Sequence, residues 1–362
     1  MFRKFSSVGG AAVVGMGLVI AVTGPTPAPV PQTADIDLSA TVLAMGGLGY
    51  ETLSRDQIAG VLAGRFANED ALVGLPWPGE LTPFNGTLTL GQSVAVGLEN
   101  MDAAIRSTPG PKIVVGASGT TLVVNQQMRR LATDPDAPPA NELSFVVLGD
   151  ADRGAFKGLS GTTLPIFEYT VPAIPETKYN VLVVAGEYDG IGDWPDRWWN
   201  PLAVFNALAG TGLLQQIITE SIVDDFQLEA FGSVHKDSIF ADLSKVPARN
   251  ITTTVNGAGG VTTTYLVPAP DLPMLRPLKN LGVQQDVIDN LERVLRPIID
   301  SAYVRNDPVG TGPARPRPQL RTGGVKPAAA SSRAAERKTN DQAATRQARS
   351  SHSGERDIAD RA

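Results

Sequence analysis

Lys112-Ile-Val-Val-Gly116-Ala-Ser118-Gly-Thr120-Thr-Leu122-Val-Val-Asn-Gln-Gln-Met128-Arg-Arg130 is the stretch that decides the fold. Ile113, Val114 and Val115 form a short β-branched run, which predicts a buried strand. Small residues follow at Gly116, Ala117 and Gly119, with Ser118 among them, and apolar side chains then recur at Leu122, Val123 and Met128 with roughly helical spacing. Strand, sharp turn and helix, with a serine at the tip, is the layout of a nucleophile elbow. Small neighbours are needed there because the backbone bends tightly and strand and helix approach closely. The usual pattern is G-x-S-x-G, and Thr120 stands where the second glycine belongs.

Around this stretch the chain alternates strands with helices or long loops. Thr41 to Met45 reads as a strand ending in Gly46-Gly47-Leu48-Gly49; Ser54 with Gln57 reads as a capping box opening a helix to about Phe66. Residues 67–88 are rich in Pro and Gly and read as a surface excursion. Thr89 and Gln92 open a second helix carrying Val94, Val96, Leu98, Met101 and Ile105 inward. Leu143 to Leu148 and Tyr179 to Ala185 are further buried strands, and Ile251 to Asn256 with Val261 to Leu266 form a hairpin. Val283 to Ile299 is an amphipathic helix. This order predicts an α/β fold, a mostly parallel sheet flanked by helices. Ligands in such sheets gather at the carboxyl ends of the strands, where Ser118, Asp189 and the Gly46 turn all fall.

Composition narrows the chemistry. The 362 residues are 42% hydrophobic, enough for one large core or two small ones. Cysteine is absent, which removes disulfides and thiolate catalysis. With only His235 and His352, a metal site built on several histidines is excluded, and no cofactor motif is satisfied. Gly46 to Gly49 does not complete G-x-G-x-x-G, and a turn lending backbone N–H groups to an oxyanion suits it better. The net charge of −6 is uneven: residues 309–362 hold 11 Lys and Arg against 5 Asp and Glu, leaving 20 against 32 for the rest. An acidic body argues against a nucleic-acid partner.

The ends have their own character. Arg3 and Lys4 precede an uncharged stretch from Phe5 to Ala34 whose apolar heart spans Val8 to Val22. That is the form of an export signal. Prolines at 25, 27, 29 and 31 crowd the place for a cleavage site, so a retained signal anchor is expected, with a secreted product if it is cleaved. The expected organisation is therefore residues 1–34 as signal or anchor plus linker, 35–308 as the hydrolase-like domain, and 309–362 as a disordered basic tail. Protein downstream of the anchor would face the periplasm or cell wall.

A serine needs a base within hydrogen-bond reach, most often a histidine oriented by a carboxylate. Ser118, Asp189 and His235 occur in the chain order used by α/β-hydrolases. His235 is the only histidine within the expected folded region, and Asp193 is the spare carboxylate. Gly119 and the turn at Gly46, Gly47 and Leu48 are the expected oxyanion donors. Trp194, Trp198 and Trp199 fit either ordinary packing or an apolar wall or lid over an acyl pocket.

Several separated segments resemble one family. Gly116-Ala-Ser-Gly-Thr with Met128-Arg-Arg-Leu, the Leu143-to-Asp150 strand, Glu187-Tyr-Asp-Gly with Asp193 and Pro195, and Asn206-Ala-Leu-Ala-Gly are similar to the mycobacterial PE-PPE domain. Thr264-Tyr-Leu-Val-Pro and Leu272-Pro-Met-Leu-Arg-Pro-Leu carry the resemblance on, so that it covers roughly residues 40–307. It implies a serine α/β-hydrolase with Ser118, Asp189 and His235 matching the family's triad. Thr120 and Gly119 depart from the family's usual residues, as does Val234-His235-Lys236, which lacks a His-Gly pairing. An anchor-like segment in place of a PE or PPE module resembles the exported members that transfer acyl chains in making trehalose-based envelope lipids. The expected function is a serine acyltransferase or esterase acting on an acylated lipid or glycolipid, attached to a membrane through its N-terminal segment. The competing class is a non-catalytic envelope protein that binds lipid or a partner.

Overall fold

A computed structural model describes residues 40–69, 71–212 and 233–307. The expected signal or anchor at 1–34 and the basic tail at 309–362 lie outside those residues, as do residues 213–232.

Seven strands form the main sheet. Counted from one edge, the first five run parallel: β2 (Leu72–Gly74), β1 (Thr41–Met45), β3 (Lys112–Ala117), β4 (Leu143–Leu148) and β7 (Asn180–Gly186). The inner four are mostly apolar runs buried on both faces, while β2 is a short, half-exposed edge strand. A separate two-stranded ribbon, β5 (Thr163–Leu164) with β6 (Tyr169–Thr170), interrupts the connection between β4 and β7. The hairpin β8 (Ile251–Val255) and β9 (Val261–Val267) completes the sheet, β9 parallel to β7 and β8 antiparallel at the edge. The spatial order is β2-β1-β3-β4-β7-β9-β8. After β2 the chain returns to the other side of β1, so the strand order reverses between β1 and β3. That reversal opens the crevice in which open α/β sheets bind ligands.

Alternation along each strand sorts side chains onto two faces. Leu43, Met45, Val114, Phe145, Val147, Val181 and Val183 face α2 (Leu90–Ser107) and α3 (Thr120–Ala132). Val42, Ala44, Ile113, Val115, Val146, Leu148, Leu182 and Val184 face α1 (Arg55–Gly64) and Ile239 of α5 (Val234–Ile239). A third cluster joins α4 (Pro201–Thr211) and α7 (Gln285–Asp300) around Tyr188 and Tyr303, while α6 (Arg276–Asn280) connects β9 to α7.

Both expected capping boxes form, Ser54 with Gln57 and Thr89 with Gln92. The helix expected to run to Phe66 does not. Its backbone leaves helical geometry at Val61, and Leu62 and Ala63 take positive φ, so that Val61, Leu62 and Phe66 all reach the sheet. Residues 67–88 are more than a surface excursion. They contain edge strand β2, and they bury Leu75 and Trp77. Among the described residues, no helix is long and apolar enough to cross a membrane.

Candidate active site

Ser118 sits between the end of β3 and the start of α3 with φ +55, in the left-handed region. A non-glycine residue held there costs about 1 kcal/mol or more and persists only when its surroundings over-determine it. The surroundings here are small by necessity. A Cβ on Gly116 would lie 2.5 Å from Val124 Cγ2 and 2.9 Å from the Thr120 carbonyl oxygen, so helix and strand meet only because that side chain is missing. The Ser118 N–H donates to the Leu148 carbonyl at 2.8 Å, which extends the β3–β4 ladder and lifts the hydroxyl to a half-exposed position above the sheet.

The Gly46–Leu48 turn closes over the same point. A Cβ added to Gly47 would stand 3.1 Å from Ser118 Cβ and 3.7 Å from Ser118 Oγ. Among the described residues, the N–H groups of Gly47, Leu48 and Gly119 donate no hydrogen bond. Trp77, absent from the sequence-based expectations, braces this turn from behind: its Nε1–H donates to the Tyr50 carbonyl at 2.9 Å, and its backbone N–H to Glu51 at 3.0 Å. Its only advance signal was one large aromatic inside a Pro- and Gly-rich segment.

Asp189 lies three residues beyond β7 and is fully buried. Its Oδ1 accepts the Ile191 N–H at 2.9 Å, and its Oδ2 is 2.7 Å from His235 Nδ1. Burial opposes a charge on His235, but the Asp189 carboxylate outweighs it through charge and hydrogen bonding, raising the imidazole above its ordinary value of 6.5. The bond to Asp189 directs the other ring nitrogen away from the loop. His235 Nε2 is buried and without a partner among the described residues.

The imidazole packs against Gly149, which follows β4 with φ +63. A Cβ there would lie 2.3 Å from His235 Cε1 and 2.7 Å from Nδ1. Gly149 comes directly after Leu148, whose carbonyl holds the Ser118 N–H. Asp189, His235 and the serine turn thus converge on the carboxyl ends of β3, β4 and β7. Ser118 Oγ and His235 Nε2 are not hydrogen-bonded to each other here, a bond that tightens in many hydrolases only when substrate is bound.

The spare carboxylate has another task. Asp193 accepts the Tyr188 N–H at 2.8 Å and pairs with Arg305 at 2.7 Å, tying the acid-bearing loop to the segment after α7. Burial pushes its carboxyl up to about 7, against the pull of Arg305 and the Tyr188 N–H. Trp198 and Trp199 are 69% and 67% exposed at the start of α4, so neither is a core residue. Within the described residues, no group of three or more His, Asp or Glu comes together as a metal site. A cavity of about 70 Å³ lined by Ala40, Lys112, Leu143 and Asn180 lies at the amino ends of the strands, the opposite end of the sheet from this chemistry.

Residues 70–225 and 228–304 match the PE-PPE domain family model. The chain belongs to the PE-PPE domain family. Relatives in Mycobacterium tuberculosis include SL1278 acyltransferase Chp1, 39% identical over 63% of this chain and 52% of the relative. Diacyltrehalose acyltransferase Chp2 is 33% identical over 81% of this chain and 83% of the relative. Esterase PE16 is 31% identical over 65% of this chain and 42% of its own length. The chain therefore spans about half the length of the first of these relatives and most of the second.

Proposed function

We propose that this PE-PPE domain is a serine acyltransferase or esterase that works through an acyl-enzyme on lipid acyl esters of the cell envelope, with acylated trehalose as the substrate class. The observation that carries the reading is the Asp189–His235 pair, held at 2.7 Å and packed on Gly149 beside the Ser118 turn. The names of the two acyltransferase relatives and of the esterase support the reaction class, and diacyltrehalose in one of them supports the substrate class.

In this mechanism His235 Nε2 takes the proton from Ser118 Oγ as the oxygen attacks the ester carbonyl. The Asp189 carboxylate accepts the Nδ1–H hydrogen bond and stabilises the imidazolium. The carbonyl electron pair moves onto oxygen, where the N–H groups of Gly119 and of the Gly47–Leu48 turn stabilise it. Collapse of the tetrahedral intermediate breaks the ester C–O bond, and His235 returns its proton to the leaving alkoxide. Water or a sugar hydroxyl then attacks the acyl-enzyme carbonyl as His235 takes its proton. The bond to Ser118 Oγ breaks and Oγ recovers that proton from His235, giving the free acid with water and the acyl sugar with a sugar hydroxyl. The segment at 1–34 would carry the domain out of the cytoplasm and hold it at the membrane. Recovery of the full-length protein only in the membrane fraction supports that placement, and a soluble mature form beginning beyond Ala28 contradicts it.

Mass spectrometry of the products formed from an acylated trehalose, with and without a second sugar acceptor, tests the reaction. New acyl-sugar species support transfer and free fatty acid alone supports hydrolysis; unchanged substrate leaves the binding-protein reading standing. A sharper check on the geometry is Gly149→Ala. The added methyl meets the imidazole at 2.3 Å and moves it off Asp189, which should lower kcat about 10²-fold, since ångström-scale misplacement of a catalytic group has effects of that size. Rates within threefold of wild type would show that His235 is not the base.

A further inference from the structure

The position at which the elbow departs from G-x-S-x-G is itself wired into the site. Thr120 is fully buried, and its hydroxyl touches three backbone groups at once. Oγ1 accepts the Ala117 N–H at 2.9 Å and lies 2.9 Å from two carbonyl oxygens, those of Ala117 and Met45. Its single proton serves one of the two carbonyls at a time. Ala117 is the last residue of β3, directly before Ser118, and Met45 is the last residue of β1, directly before the Gly46–Leu48 turn. One hydroxyl therefore spans the crevice where the strand order reverses, joining the strand that delivers Ser118 and Gly119 to the strand that delivers Gly47 and Leu48. A glycine at this position has no group with which to make that link.

We infer that Thr120 is a positioning residue that sets the separation of the two halves of the oxyanion hole. It touches no reacting atom. Its role rests on the proposed acyl-enzyme chemistry, because the donors it spaces matter only once charge develops on the carbonyl oxygen. Hydrogen-bond stabilisation of that oxygen depends steeply on donor placement, and complete loss of one donor costs on the order of 10² to 10³ in rate. Displacing the donors without removing them should cost less, about tenfold.

The test uses the full-length protein and a soluble p-nitrophenyl acyl ester. Thr120→Val keeps the shape and deletes the hydroxyl; Thr120→Gly, the usual elbow residue, serves as a second variant if the valine protein does not fold. Thr120→Ser restores the hydroxyl. Tyr179→Phe is the control, because the Tyr179 hydroxyl makes one comparable bond to the Pro138 carbonyl at 2.7 Å at the opposite end of the sheet, just before β7. Thr120→Val and Thr120→Gly should lower kcat about tenfold with KM within twofold of wild type. Both should weaken inhibition by an acyl trifluoromethyl ketone, which forms an oxyanion on Ser118, by the same factor. Thr120→Ser should recover wild-type values and Tyr179→Phe should leave them unchanged. A fall in kcat without weaker ketone inhibition, a rise in KM alone, or failure of serine to rescue overturns the inference. A wild-type protein inert toward both ester and ketone instead removes the acyl-enzyme reading on which it stands.

Discussion

Ser118→Ala is expected to abolish acyl-ester turnover, lowering kcat on the order of 10⁵-fold or more, as loss of the nucleophile from a triad does. Covalent labelling by a fluorophosphonate should vanish with it. What remains would be the modest acceleration that oxyanion donors and substrate binding supply without a nucleophile. Stability should not follow activity down. Ser118 is held at φ +55, so Ser118→Gly is expected to be just as inactive yet more stable than wild type by roughly 1 kcal/mol, because glycine occupies the left-handed region without penalty. Thermal unfolding of the three proteins measures this directly. Unchanged turnover in Ser118→Ala would place the chemistry elsewhere, and a glycine variant less stable than wild type would show that the turn is not strained.

Asp189→Asn is expected to lower kcat about 10⁴-fold while leaving the fold intact, the scale seen when a triad carboxylate is replaced by an amide that favours the wrong imidazole tautomer. The asparagine still offers an oxygen to the Ile191 N–H, so the loop keeps its anchor. The pH profile carries an independent signature. The base must be neutral to accept the serine proton, and Asp189 holds the His235 pKa above 6.5, so wild-type kcat/KM should rise through a limb above that value. With the carboxylate neutralised, burial acts unopposed and the limb should move to lower pH. Stability runs in the opposite sense. A pKa raised in the folded state contributes stability that is complete below the unfolded value of 6.5 and is lost as pH rises through the folded value. The stability gap between wild type and Asp189→Asn should therefore be widest below pH 6.5 and narrow as the imidazole loses its proton. A limb that stays in place in the variant would argue against the Asp189–His235 coupling.

The parts of the molecule legible in the sequence are those whose physics is local. Strands β3 and β4 are continuous apolar runs because both of their faces are covered, and capping boxes are complete within four residues, so each could be read in isolation. Ser118 was legible because a turn held at positive φ between a strand and a helix demands small neighbours on both sides. His235 was reached by elimination, as the sole histidine between the two ends. Asp189 and Asp193 are both acidic residues just past a buried strand, and nothing in their local sequence separates them. Only the folded loop does so, aiming Asp189 at the imidazole and Asp193 at Arg305 and the Tyr188 N–H.

Other features depended on contacts between residues far apart in the chain. The helix after Ser54 breaks at Val61 although its residues favour helix, because burying Val61, Leu62 and Phe66 together against the sheet outweighs propensity. The segment holding Trp77 reads as loop from its prolines and glycines, yet it supports the Gly47–Leu48 turn through bonds to Tyr50 and Glu51. The methyl that Gly149 must lack, and the carbonyl of Met45 that Thr120 reaches, belong to strands separated from their partners by about 75 residues or more. Hydrophobic period and residue chemistry, written locally, sufficed for the central strands, the elbow and the small set of residues that could do acyl chemistry, but not for edge strand β2. Tertiary structure decided which carboxylate meets the imidazole, what presses the imidazole into place and which carbonyls the Thr120 hydroxyl reaches, since those are distances across a crevice that forms only when the strand order reverses.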